Sequence, residues 1–136
     1  MITFDTNLLV RLVTNDDQRQ ADIAEQLLRE NEVFIPRTVL LETEWVLRSV
    51  YKFPRSDIAD FLENALNVEN LFLEDSTEIS QAIDWYKLGA DFADAIHLSI
   101  CGNRVMHTFD ANFCKSAGRL GITPAFKVLF SEKKRT

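Results

Sequence analysis

Four acidic residues stand where the surrounding sequence is otherwise apolar. Asp5 directly follows the apolar run of residues 2–4, and Asp110 ends a similar run. Glu42 and Asp94 each lie within a largely apolar segment that has helical periodicity. Buried carboxylates are costly unless they are paired, hydrogen bonded or bound to a cation. Mg²⁺ prefers carboxylate and water oxygens, and when bound it can activate a water and polarise a phosphoryl oxygen.

Each acid taken alone also has an ordinary structural explanation. Asp5 has the chemistry of a helix N-cap, and Glu42 could be a salt-bridged residue at the edge of the core. Asp110 has the chemistry of a turn residue. Asp91 lies three residues before Asp94, so the two carboxylates share one face of a helix. The joint pattern, more than any single residue, favours a catalytic site.

The elements that must position these acids are short apolar strands separated by amphipathic helices. Asp17, Thr38, Ser56 and Asp75 have the chemistry of residues that begin helices. The predicted strands cover residues 2–4, 33–35, 71–73, 105–109 and 127–130. This alternation predicts an α/β fold with a mainly parallel sheet flanked by helices on both faces. Because ligands bind beyond the carboxyl ends of parallel strands, Asp5 and Asp110 should reach one rim.

Composition and charge limit the class of protein. The chain has 136 residues, of which 46% are hydrophobic, and this predicts one domain over residues 1–130 followed by a basic tail, residues 131–136. The two cysteines lack metal-ligand spacing, and no apolar run is long enough to span a membrane. We therefore expect a soluble cytoplasmic protein without disulfides. The net charge of −6 is divided unevenly, since residues 56–94 carry ten acids and one base, whereas residues 104–136 carry seven bases and two acids.

Four motifs in order resemble those of PIN-domain nucleases, and most closely the VapC toxins of type II toxin–antitoxin systems. These motifs are ITFDTNLLVRL at residues 2–12, LETEWVLR at 41–48, ADFADAIH at 90–97 and TFDANF at 108–113. The resemblance implies a PIN-like α/β/α sandwich and Mg²⁺-dependent cleavage of RNA by a metal-activated water, with Mn²⁺ as a possible substitute. It also implies a homodimer and neutralisation by a cognate antitoxin protein.

Residue by residue, the resemblance implies a catalytic quartet. Its members are Asp5, Glu42, Asp94 and Asp110, of which Asp5 and Asp94 match the usual metal ligands. The supporting positions are Asp91, a frequent additional acid, and three polar neighbours that orient ligands or water, Thr6, Asn7 and Thr108.

The remaining charged and aromatic residues can be explained as surface or structural residues. The candidates to contact the RNA backbone are Arg11, Arg37, Arg48, Lys52 and Arg55, although solvated surface charge explains each of them as well. Glu44 and Arg48 are predicted to form a surface ion pair with helical spacing. His97 is expected at a helix surface without a catalytic role. Trp45 is expected in the core or at a subunit interface.

Two other classes of function stay open at the level of sequence. One is a phosphoacceptor regulatory domain in which acids around Asp5 bind Mg²⁺, although the sequence lacks an acidic dipeptide after the first strand. The other is a catalytically silent binding module whose acids pair with an arginine-rich partner.

Overall fold

The computed structural model describes residues 1–109 and 126–129, and within them five short strands alternate with six helices. In chain order these are β1 Ile2–Thr3, α1 Thr6–Thr14, α2 Gln18–Glu30, β2 Val33–Ile35, α3 Arg37–Ser49, α4 Arg55–Leu66, β3 Leu71–Leu73, α5 Ser76–Lys87, α6 Phe92–Cys101, β4 Met106–Thr108 and β5 Phe126–Val128. The five predicted strands are therefore present, with boundaries displaced by one or two residues, and the short helix predicted around residues 113–120 lies outside the described residues.

Every strand pair in the described residues is parallel. β2 lies between β1 and β3, with Val33 opposite both Ile2 and Leu71, and β4 pairs with β5 as a two-stranded sheet. Two helices connect β1 to β2, and two more connect β2 to β3. Since parallel strands need such crossover connections, this confirms the predicted α/β fold with a parallel sheet and flanking helices.

The core forms where the apolar stripes of the helices meet the sheet. Val33 and Ile35 lie two residues apart on the central strand β2, so their side chains point to the same face of the sheet, and both are completely buried. Ile58 and Leu62 of α4, four residues apart, are also completely buried. This i, i+4 spacing places side chains on one face of a helix, so one stripe packs inward while the opposite face stays in solvent.

Two of the predicted helix starts are wrong by a residue or two. Asp17 caps α2 as expected, because its Oδ1 accepts a hydrogen bond from a backbone N–H three residues later at 3.1 Å. Thr38 and Ser56 do not cap their helices, since α3 and α4 begin directly after Pro36 and Pro54. Both prolines have extended backbone with φ of −61°, so each turns the chain into the helix without a side-chain cap.

Two further expectations concern membranes and cysteines. Among the described residues, no helix has both the length and the apolar character needed to cross a bilayer. Cys101 is a half-buried free thiol whose Sγ donates to the carbonyl oxygen of His97 at 3.0 Å. Cys114 lies outside the described residues.

Candidate active site

A hydrogen bond between α1 and α3 joins the first two acidic motifs. Asp5 is the N-cap of α1, and its Oδ1 accepts from the backbone N–H of Leu8 at 3.4 Å. The next residue, Thr6, is buried, and its Oγ1 donates to Oε1 of Glu42. Because only one peptide bond separates Asp5 from Thr6, this contact places Glu42 beside the start of α1. The predicted orienting role of Thr6 thus has a specific partner.

The third motif forms the start of α6. Asp91 is the N-cap of this helix, and its Oδ1 accepts from the backbone N–H of Asp94 at 3.0 Å. Asp91 is exposed and Asp94 is half-buried. The two predicted site acids are therefore held in a fixed relation by the cap itself.

Helix dipoles help to explain how several carboxylates are tolerated here. Asp5 and Asp91 occupy helix N-caps, and Asp94 lies in the first turn of α6. The N-terminal end of a helix carries a partial positive charge that favours nearby anions by about 0.3–1 kcal/mol. Each of these three acids therefore lies where the end of a helix favours a negative charge.

Helix α3, which carries Glu42, packs against both α1 and α6, the helices that Asp5 and Asp91 cap. Arg48 on α3 has a raised pKa, caused mainly by its hydrogen bond to Glu44, with a smaller contribution from the charge of Asp91. The first three motifs are thus arranged around one helix.

The remaining predicted site residues are Asn7, Thr108 and Asp110. Asn7 is exposed and lines a cleft of about 340 Å³ together with Arg11 and other side chains of α1 and α2. Thr108 is the last residue of β4 and pairs in register with Val128 of β5. Asp110, the fourth predicted acid, lies outside the described residues.

The chemistry of the donor set suits Mg²⁺. Asp5, Glu42, Asp91 and Asp94 offer only carboxylate oxygens, the ligands this ion prefers. In residues 1–109 and 126–129, no group of three or more acidic, histidine or cysteine side chains is close enough to form a metal site by itself. Mg²⁺ usually keeps several waters and uses one or two protein carboxylates, so two ligands of the predicted kind suffice.

Most of the basic residues predicted to contact RNA already have partners within the protein. Arg11 pairs with Asp16 at 2.7 Å, and Arg37 pairs with Asp75. Lys52 is exposed in the loop after α3, where its φ is +59°. The other two candidates, Arg48 and Arg55, bind Glu44 and backbone carbonyls respectively. A phosphate would have to compete with these contacts at every position except Lys52.

Glu44 differs from its predicted role as a surface residue. Its ion pair with Arg48 is present at 2.8 Å, but Glu44 is only 2% exposed. The hydroxyl of buried Tyr86 donates to Oε2 of Glu44 at 3.0 Å, and burial followed by the Glu44 charge raises the pKa of Tyr86. The i, i+4 spacing predicted the ion pair correctly, but the partner on α5 that buries one end of it is distant in sequence.

Trp45 and His97 are both at the surface. Trp45 is 53% exposed, so the prediction of a core position is wrong and the alternative of an interface position is untested. His97 is exposed on α6, as expected for a histidine at a helix surface.

Two acids that follow β3, Glu74 and Asp75, were not selected as site residues, although Asp75 was predicted to begin a helix. Oε1 of Glu74 accepts from the backbone N–H of Arg37 at 2.9 Å, which satisfies a donor at the start of α3. Asp75, with φ of +52°, binds the Arg37 side chain instead of capping α5 with its own. The reasoning that selected Asp5, an acid directly after a strand, would also have selected these residues.

A comparison with protein families finds a match that spans all four motifs. The profile of the PIN domain family matches residues 2–118. A VapC ribonuclease of Aquifex aeolicus (strain VF5) is 30% identical over 101 residues, covering 71% of this chain and 75% of that protein. No solved structure matches significantly.

Proposed function

This chain belongs to the PIN domain family, and on that premise we propose that it is a Mg²⁺-dependent endoribonuclease of the VapC type. The observation that carries the proposal is the Thr6–Glu42 hydrogen bond, because it joins an acid-bearing strand end to an acid on a different helix. Such convergence of acids distant in sequence is typical of a site that binds a cation and a phosphodiester. If Asp5 served only as a helix cap, its neighbour Thr6 would need no acidic partner on α3.

The residues of the site have separate roles in this proposal. Asp5 and Asp94 would hold the ion, with Asp110 completing the acidic quartet. Glu42, oriented by the Thr6 hydroxyl, would accept a proton from the attacking water and hold that water in line with the scissile phosphodiester. Asp91 keeps the first turn of α6 capped, which fixes the backbone of Asp94. Bound Mg²⁺ would lower the pKa of water and neutralise charge that develops on the phosphoryl oxygens.

The assay that tests this proposal is incubation of the purified protein with total RNA, with and without Mg²⁺. We expect discrete cuts that need Mg²⁺ or Mn²⁺ and that disappear in Asp5→Asn. Asp22→Asn is the matched control, because Asp22 is an exposed acid on α2 outside the four motifs, and it should cleave as the wild type does. Cleavage by Asp5→Asn in the presence of EDTA would contradict the proposal.

We further propose that the protein is the toxin of a type II toxin–antitoxin system and acts as a homodimer. Trp45 supports an interface on α3, because it is 53% exposed and tryptophan is enriched at contacts between protein chains. Sedimentation velocity should give a dimer that Trp45→Ser weakens, whereas Leu88→Ser, at an equally exposed site beyond α5, should leave it intact. A monomer at all concentrations would refute the dimer.

The antitoxin can be tested separately. The protein encoded by a short neighbouring reading frame should co-purify with this chain and suppress its cleavage of RNA. Cleavage that continues with that protein bound would argue against neutralisation at the active site.

A further inference from the structure

Arg55, at the start of α4, binds the turn that connects α5 to α6. Its Nη2 donates to the carbonyl oxygen of Tyr86 at 2.8 Å and to that of Ala90 at 2.7 Å. Its Cζ lies 3.9 Å from the centroid of the Tyr86 ring. One guanidinium group therefore makes two hydrogen bonds and a cation–π contact to a segment about thirty residues away in sequence.

This turn leads directly into the acidic motif. Helix α5 ends at Lys87, and Gly89 reverses the chain with φ of +110°, donating its N–H to the Tyr86 carbonyl at 3.0 Å. Ala90 is the last residue before Asp91, the N-cap of α6. Carbonyls at the end of a helix lack helical partners, and a cation there is favourable. By bridging Tyr86 and Ala90, Arg55 fixes the direction in which the chain leaves the turn.

The ring beneath Arg55 is itself fixed on two sides. Tyr86 is 1% exposed, and its ring packs edge-on against Phe92 of α6 with centroids 5.3 Å apart. Its hydroxyl donates to the buried carboxylate of Glu44 on α3. Tyr86 belongs to α5 and contacts both α3, which carries Glu42, and α6, which carries Asp94. Arg55 therefore packs against a side chain that joins these three helices.

We propose that Arg55 is a positioning residue that holds the start of α6, and with it Asp91 and Asp94, in the geometry needed to bind the metal ion. This inference rests on the function proposed above. It replaces the sequence-based interpretation of Arg55 as a contact to the RNA backbone, because the guanidinium is already bound to backbone carbonyls. Groups hydrogen bonded directly to metal ligands typically change metal affinity by about 10- to 100-fold when they are mutated. Arg55 acts less directly, through the carbonyl of Ala90, so the lower limit of this range is the most that we expect.

The test compares Mn²⁺ binding, measured by calorimetry or electron paramagnetic resonance, with Mg²⁺-dependent RNA cleavage in three variants. Arg55→Met removes the hydrogen bonds, whereas Arg55→Lys keeps the positive charge but ends one bond short of the Nη2 position. Arg29→Met is the control, since Arg29 is an exposed arginine on α2. We expect both Arg55 variants to raise the Mn²⁺ dissociation constant by up to roughly tenfold, with the KM for RNA and its salt dependence little changed.

The alternatives give different results. If Arg55 contacts phosphate, Arg55→Lys should resemble the wild type, Arg55→Met should raise KM, and Mn²⁺ affinity should not change; that result overturns the positioning role. If Arg55 only stabilises the fold, the melting temperature should fall while folded protein binds Mn²⁺ normally, which also overturns it. A wild type that neither binds Mn²⁺ nor cleaves RNA would instead contradict the proposed function itself.

Discussion

Replacing Tyr86 by phenylalanine tests the buried contact that ties α5 to α3. The change removes only the hydroxyl, which donates to the Glu44 carboxylate at 3.0 Å, and it keeps the ring that packs on Phe92. A hydrogen bond to a charged group contributes about 1.5–3 kcal/mol. Because Glu44 keeps its bond to Arg48 at 2.8 Å, the lower end applies, and we expect a loss of about 1.5–2 kcal/mol.

The loss should appear as a lower urea midpoint and a melting temperature reduced by roughly 5–8 °C. Tyr51→Phe is the matched control, because the chain has two tyrosines and the Tyr51 hydroxyl lies in an exposed hydrogen bond to Asp16. Its loss should stay below about 1 kcal/mol, since exposed polar contacts contribute little.

The stability difference between the wild type and Tyr86→Phe should also depend on pH. Burial and the Glu44 charge raise the pKa of Tyr86 above its ordinary value of 10.0. Below that pH, folded and unfolded chains both keep the proton, so the stabilisation is complete. Above it, the unfolded chain releases the proton while the folded chain holds it, and the free energy of unfolding falls by up to about 1.4 kcal/mol per pH unit.

The advantage of the wild type over Tyr86→Phe should therefore shrink as the pH rises above 10.0. An advantage that stays constant across this range, or that is no larger than the effect of Tyr51→Phe, would refute the buried bond.

Three more stability predictions can be checked by urea unfolding. The pKa of Asp16 is lowered, and the largest cause is the hydrogen bond from the Tyr51 hydroxyl. The ionised Asp16 carboxylate therefore stabilises the folded state fully above pH 3.8, and this contribution is lost as the pH falls through the folded-state pKa. Asp16→Asn should lack this acid-sensitive component. Lys52→Gly should raise stability by up to about 1 kcal/mol, because φ of +59° strains any residue with a Cβ, and Lys52→Ala should bring no gain. Leu62→Ala should lower stability by about 2–5 kcal/mol, since Leu62 is completely buried, whereas exposed Leu88→Ala should have little effect.

The helices, strands and caps that depend on local sequence patterns were predicted well. Helical spacing of apolar residues located α4 and its buried pair Ile58 and Leu62. The short apolar run at β2 predicted a strand, and the chemistry of Asp5 after the first strand predicted the N-cap of α1. These features follow from side-chain periodicity and capping chemistry, which act within one or two turns of the chain.

Features that depend on tertiary contacts were not predictable in this way. Arg48 was correctly paired with Glu44, but the burial of Glu44 depends on Tyr86, which is 42 residues away. Arg55 looked like a surface cation because nothing near it in sequence reveals the carbonyls it binds. When a side chain donates hydrogen bonds to the backbone carbonyls of a turn distant in sequence, no spacing of residues in the sequence reveals it.

The most direct test of the proposed function is the rate of RNA cleavage as a function of Mg²⁺ concentration in the wild type and in Asp94→Asn. The rate of the wild type should rise and saturate with Mg²⁺. Asp94→Asn should be slower by at least roughly a hundredfold at every concentration, because a bound ion stabilises the transition state by several kcal/mol. Equal rates in the two proteins, or a wild-type rate that does not depend on Mg²⁺, would contradict a metal-dependent nuclease built on Asp94.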